Sequence, residues 1–268
     1  MGFRLAVLIL IPCVLLSSAG LVPASESACL DCHSAHYEAE GTCTQCHRGD
    51  SRTTRKSIAH HGLIPGRFAH FNLDHSEIAK RGLQGLKDAG CRRCHVSGGK
   101  GNRLASDLDR VSQTSDSEEL VKSITEPAIF MPDFHFSESQ VVELVNGLFA
   151  GMKQVPPDTG EVPRVVHFTG LKEAEEHVFS KHCGGCHRLM SQKLGGSGEG
   201  EVGPNLSGLF TEFYPRNFRE DERWGRENLE KWLKNPREIR PNAGMIPVRM
   251  KEEERDDLLR FFQSEAEQ

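Results

Sequence analysis

Basic charge, spare thiols and long apolar runs are all scarce in this chain. Thirty-three Lys and Arg stand against 38 Asp and Glu, a formal charge of −5. That excludes the basic surface a nucleic-acid binder needs and suits docking to basic faces of protein partners. Of nine cysteines only Cys13 lies outside a repeated motif, so a chain trimmed of its N-terminus has no thiol left for a disulfide framework. The longest apolar run, Leu5 to Leu16 behind Arg4, is short for a membrane span. It has the form of a secretory signal over residues 1–24, with Val22-Pro-Ala24 offering small residues for cleavage, and it predicts a periplasmic protein, with association to an outer membrane left open. Lipidation at Cys13 and an uncleaved anchor are alternatives for the same segment. Hydrophobic residues make up 37%, which is thin for 268 residues.

What the chain has instead is one pentapeptide written four times: Cys29-Leu-Asp-Cys32-His33, Cys43-Thr-Gln-Cys46-His47, Cys91-Arg-Arg-Cys94-His95 and Cys183-Gly-Gly-Cys186-His187. C-x-x-C-H is the attachment site of c-type haem, in which both thiols bond to the porphyrin and the histidine becomes an axial ligand of iron. Zinc or a dithiol redox pair would also use C-x-x-C. A histidine after all four pairs has chance odds on the order of one in 10⁵. Cys29, Cys32, Cys43, Cys46, Cys91, Cys94, Cys183 and Cys186 are therefore read as attachment sites for four covalent haems, with His33, His47, His95 and His187 on the irons. Four large apolar macrocycles would also make up for the thin protein core.

The spacing of the motifs divides the chain. The first two are too close for separate domains, so residues 25–78 read as one irregular two-haem module. It is dense in further histidines: His36, His60, His61, His70 and His75. The third and fourth motifs open segments at 79–152 and 171–268 that share an order. In the last, a helix from Glu173 runs into Cys183, Gly203-Pro-Asn-Leu206 follows, then a helix over Glu227 to Lys234, then Met245-Ile-Pro247, then an amphipathic helix from Glu252 burying Leu258, Leu259, Phe261 and Phe262. The other segment repeats this: Leu120, Ile124 and Pro127 match Leu229, Leu233 and Pro236, and Met131 precedes Glu138 by the same seven residues that part Met245 from Glu252. Gly101-Asn-Arg-Leu104 stands for its turn. A proline-rich linker at 153–170 joins the two segments. Gly195-Gly-Ser-Gly-Glu-Gly200 reads as a flexible surface loop.

This order resembles class I cytochrome c. The resemblance covers Leu83 to Gly151 and Lys172 to Gln268, and it implies a mainly α fold in which an irregular dihaem module precedes two small all-helical domains. It also implies Met245 as the sixth ligand of the fourth iron, with Met250 the competitor, and Met131 on the third, with His135 the competitor. The histidine-rich start resembles the bis-histidine ligation of low-potential multihaem cytochromes, which offers His70, His61 and His36 as the leading distal ligands and His60 and His75 as further ones. Trp224 and Trp232 are expected against the last haem, Arg92 and Arg93 at the surface near a propionate, and His135, His167, His177 and His182 in solvated or structural roles.

Methionine raises the iron potential above that of a bis-histidine site, so the chain should run from a low-potential end to a higher one. The expectation is an electron carrier between redox proteins, among them other cytochromes, quinol-oxidising complexes and terminal reductases, with membrane contact only through those partners. The layout from Ala59-His-His-Gly62 to Arg67-Phe-Ala-His70 is also similar to multihaem cytochromes of anaerobic selenite, tellurite or metal reduction. The competing class is an enzyme, a haem reductase of a small oxyanion or peroxide at a five-coordinate iron. No constellation of catalytic side chains outside the haem ligands calls for it.

Overall fold

The computed structural model describes residues 27–128, 130–153, 155 and 175–267. The apolar N-terminal run with Cys13, most of the 153–170 linker with His167, and the start of the helix expected from Glu173 lie outside the described residues. What is described is mainly helical, with one short β-hairpin.

The longer helices are α1 (Glu77–Asp88), α2 (Leu108–Thr114), α3 (Ser117–Thr125), α4 (Glu138–Met152), α6 (Arg226–Lys234) and α7 (Glu252–Ala266), with the short α5 (Val178–His182) entering the fourth motif. Polar caps start the first four. Ser76 Oγ accepts from Ala79 N at 3.2 Å, Asp116 Oδ1 from Glu119 N at 2.8 Å, and Ser137 and Gln140 form a reciprocal capping box. Residues 175 and 176 are helical, a bend falls at His177, and α5 resumes at Val178, where the His177 ring accepts from Phe179 N.

Two hydrophobic clusters form. In the C-terminal one Leu258, Leu259, Phe261 and Phe262 of α7 are buried against Phe179, Leu229 and Leu233, as the amphipathic pattern requires. In the other, α1 and α4 cross where glycine meets glycine: a Cβ on Gly82 would lie 1.8 Å from Glu143 O, and one on Gly147 would lie 2.4 Å from the Gly82 carbonyl carbon. The backbones touch there, so no other residue fits.

This cluster also takes in Ile64, Phe68, Ala69 and Phe71, so the end of the histidine-rich segment packs on α1 and α4. The fastening is Asn146, fully buried on α4. Its Oδ1 accepts from Phe71 N at 3.1 Å while its Nδ2 donates to Arg67 O and Val142 O, both at 2.9 Å. Arg48, directly after the second motif, adds a second tie: it donates to Ser112 O at 2.8 Å and Ser115 O at 3.3 Å and lies over the Phe149 ring.

The glycine-rich stretch after the fourth motif is not a loose loop. Gly195–Ser197 pairs antiparallel with Leu189–Ser191 as a hairpin. A Cβ on Gly200 would fall 2.4 Å from the Cys186 backbone, so this segment lies directly on the motif. Close backbone approach, not flexibility, is what these glycines supply.

Replacing Asn146 with leucine should leave Phe71 N and Arg67 O buried without partners and cost about 2–4 kcal/mol. Gly82→Ala should cost a comparable amount by forcing the helices apart. Denaturant midpoints of each variant against wild type measure both.

Candidate functional site: the four Cys-x-x-Cys-His motifs

At three of the four motifs the histidine ring is held in one way. His47 Nδ1 lies 2.8 Å from Ile64 O, His95 Nδ1 2.7 Å from Ser106 O, and His187 Nδ1 2.8 Å from Pro204 O. A backbone carbonyl only accepts, so each Nδ1 must carry the proton and donate it. Nε2 is then left with its lone pair, the tautomer a metal ligand needs. For the second motif the hold is double, since Ile64 N donates back to His47 O at 2.7 Å.

Backbone hydrogen bonds align the third and fourth motifs atom by atom. Cys94 O accepts from Leu104 N and Ala105 N, as Cys186 O accepts from Gly203 N; Val96 O accepts from Leu108 N, as Arg188 O accepts from Leu206 N. With the ring acceptors Ser106 and Pro204 this equates Ala105-Ser-Asp-Leu108 with Gly203-Pro-Asn-Leu206. The turn expected at Gly101-Asn-Arg-Leu104 is thus misplaced by four residues. Gly101 has another duty: at φ +137° its Cβ would sit 1.9 Å from His95 O, the position that Gly198 (φ +82°) holds against His187 O. Asp107 and Asn205 also correspond, each accepting through Oδ1 from the backbone N–H two residues on.

The surroundings fit a flat apolar group tethered by thioethers. Cys183 and His187 are buried beside the C-terminal cluster, and a Cβ on Gly203 would lie 2.2 Å from His187 Cε1, so that position must be bare for the ring to lie flat behind its site. Burial pushes the Cys91 thiol up to about 11 and, with the neighbouring Cys186, the Cys183 thiol up to about 12. A dithiol redox pair needs the opposite shift. Zinc needs four converging ligands, and among the described residues no group of three or more His, Cys, Asp or Glu converges. Burial also pushes the His95 imidazole down, towards its neutral form.

Met245 lies half-buried against the C-terminal cluster, and Trp232 Nε1 points at its sulfur from 3.0 Å. Val248 N bonds Leu233 O at 2.9 Å and closes the methionine loop onto α6. Trp224 packs edge-on against Trp232, the ring whose Nε1 reaches Met245. Met250 is half-buried in the same cluster. Met131 is half-buried on a turn closed by its own N–H to Ala128 O at 2.8 Å, while His135 is exposed and paired with Asp133.

Among the N-terminal histidines two ring pairs stand out. His33 and His60 have centroids 6.0 Å apart, and His36 and His47 have theirs 5.7 Å apart. Neither His61 nor His70 has such a partner among the described residues, and His75 is exposed with φ 60°. His36 thus lies beside a motif histidine. The turn at Lys56–Ala59 ends on His60, which lies beside His33, and His70 directly precedes Phe71, whose N–H is held by Asn146 on α4.

Arg93, expected at the surface near a propionate, is an internal clamp. From inside the third motif its guanidinium donates to Ser207 O at 3.2 Å and to Asn205 O, and lies 4.4 Å from the Tyr214 ring centre. The Cys94 thiol meets the Ser207 side chain, Asn102 Nδ2 reaches Thr211 Oγ1 at 3.0 Å, and Asn205 Nδ2 holds Phe130 O at 3.1 Å. The third motif therefore sits on the turn whose Pro204 carbonyl anchors His187. Nothing in the sequence signals Arg93, which looks like any charged surface pair. Asn146 leaves a faint trace, a polar residue inside an apolar helical face.

Such helices around such a motif define a c-type cytochrome, a carrier of covalent haem. A family profile described as Cytochrome c matches residues 172–265. The cytochrome c of Ginkgo biloba is 28% identical over 109 residues, covering 37% of this chain and 92% of that protein. That of Chlamydomonas reinhardtii is 31% identical over 97 residues, covering 32% of this chain and 82% of that protein. No solved structure matches the chain. The chain belongs to the cytochrome c family, and its work is electron transfer with redox partners.

Two outcomes test the site. Gly203→Ala should displace the His187 ring, and the absorption spectrum of the haem-loaded protein should lose part of its low-spin signal. Glu254, which links α7 to α5, is held down to about 2 by hydrogen bonds from Lys181 and the Lys251 N–H and by His182. A carboxylate held below its ordinary 4.5 stabilises the fold above that value and loses the contribution as pH falls towards 2. The gap in melting temperature between wild type and Glu254→Gln should therefore be widest near neutrality and close between pH 4.5 and about 2.

Proposed function

We propose that this chain is an exported tetrahaem relay: a two-haem start at residues 25–78 held by histidines, then methionine-ligated sites at 79–152 and 171–268, carrying electrons between respiratory redox proteins. The observation that carries the reading is the shared Nδ1-to-carbonyl anchor at His47, His95 and His187, which prepares three separate motifs for the same work. Bound there, haem supplies one-electron chemistry at iron. The protein's part is to keep each imidazole in one tautomer and one orientation, so that the site changes oxidation state with little rearrangement.

The contact between the third and fourth motifs supports a relay over four independent carriers. From the Cys94 thiol the chain of contacts passes to Ser207 and to Asn205 Oδ1, 2.6 Å from Ser207 Oγ, then along the backbone to Pro204 O and the His187 ring. Covalent and hydrogen-bonded links thus join one attachment site to the next, and Arg93 holds them in register. Export is supported by the form of residues 1–24. An oxyanion or metal as the final acceptor is supported by the resemblance of the histidine-rich segment alone.

Intact mass of the exported protein should give four haem adducts. Reductive titration should give two groups of potentials, with the near-infrared band following the upper group. Fewer adducts, or four overlapping potentials, would overturn the reading. Carbon monoxide shifting the reduced wild-type spectrum would favour instead the oxyanion or peroxide reductase with an open iron.

A further inference from the structure

Two metal–imidazole bonds of about 2 Å, together with the half-width of each ring, put the centroids of axial histidines about 6 Å apart. The two ring pairs of the N-terminal segment stand at that spacing, 6.0 Å for His33 and His60 and 5.7 Å for His36 and His47. Each unites a motif histidine with one from outside any motif. Their interplanar angles of 42° and 47° are acceptable across an iron, because axial imidazoles both stand upright on the porphyrin and are free to twist about the bond axis.

The backbone explains why His60, and not its neighbour, is presented. Lys56–Ala59 forms one helical turn, and His60 N bonds Lys56 O at 3.0 Å as its last link. Asp50 N donates to Ala59 O at 3.0 Å, and Gly49, at φ +81° with no room for a Cβ against that same oxygen, lets the chain leaving the second motif lie on the turn. The exit of the second motif thereby positions a residue that serves the first. The reverse holds for His36, three residues after His33, which faces His47.

Resting on the four-haem reading, we propose that His60 closes the iron attached through Cys29, Cys32 and His33, and that His36 closes the iron attached through Cys43, Cys46 and His47. His33 and His36 then serve neighbouring irons although their Cα atoms lie at most about 11 Å apart along the chain. The two haems are interlocked, each attached to a segment that carries a ligand of the other. His61 and His70 carry no iron.

The test uses the exported, haem-loaded protein. Adduct count by intact mass is read first: fewer than four in wild type would sink the four-haem reading itself, separately from the assignment. With four adducts present, His60→Ala and His36→Ala should each convert one haem to a high-spin form that binds carbon monoxide when reduced, and added imidazole should restore the low-spin spectrum. His61→Ala and His70→Ala should leave the spectrum of wild type. A new carbon monoxide-binding haem in either of the latter, or none in the former, overturns the assignment. Should an alanine variant fail to accumulate, His60→Met and His36→Met keep a ligand in place; each should add one sulfur-to-iron band in the near infrared, and absence of that band overturns the assignment equally.

Discussion

The hydrogen bond from an imidazole Nδ1 to a backbone carbonyl is the constraint on which this molecule turns. It is short, its direction is dictated by an acceptor that has no proton to give, and it settles which nitrogen faces the iron. Its acceptors come from different distances along the chain: Ser106 is eleven residues beyond His95, while Pro204 and Ile64 are seventeen beyond His187 and His47. The turns that bring these carbonyls in then decide where the following helices start. Asp107 caps α2 one residue after Ser106, and Asn205 organises Ser207 and Phe130 one residue after Pro204.

Packing elsewhere serves these anchors. Glycine is used wherever a backbone must lie on a motif, at Gly101 and Gly198 against the histidine carbonyls and at Gly203 against the ring itself. Asn146 carries the segment from Arg67 to Phe71 on α4, which ties the strand leaving Ile64 O into the core. A buried amide with its oxygen and nitrogen both bonded contributes more to uniqueness than to net stability, since only one placement of the loop satisfies it. The same economy appears at Arg93, whose donors and flat face are taken up by Ser207, Asn205 and Tyr214. An arginine so placed fixes one orientation between two attachment sites, which a lysine's single charge would not.

Much of the helical layout was legible beforehand because burial imposes a period on the residues that face a core. Leu258, Leu259, Phe261 and Phe262 lie where that period put them, and Leu120 and Leu229, matched in spacing, are each buried in one of the two clusters. The turn after the third motif was not legible. Gly101 and Gly203 look alike as letters, yet one relieves a clash with a carbonyl and the other a clash with a ring, and only hydrogen-bond partners tell them apart. Glycine-rich sequence likewise gives no sign of whether its freedom is spent on motion or on close contact, so Gly195 to Gly200 read as loose when it is a hairpin pressed on Cys186.

Alone, the order of residues determined the chemistry: which thiols stand beside which histidines, how many times, and with what apolar rhythm behind them, because a covalent attachment and a helix are both specified by neighbours a few positions away. Tertiary structure alone decided which carbonyl holds each ring, that Arg93 clamps two attachment sites together, and that His60 and not His61 faces His33. Those are meetings of groups far apart along the chain. Such meetings depend on how turns aim their ends, and a single residue's shift reverses the direction in which a side chain points.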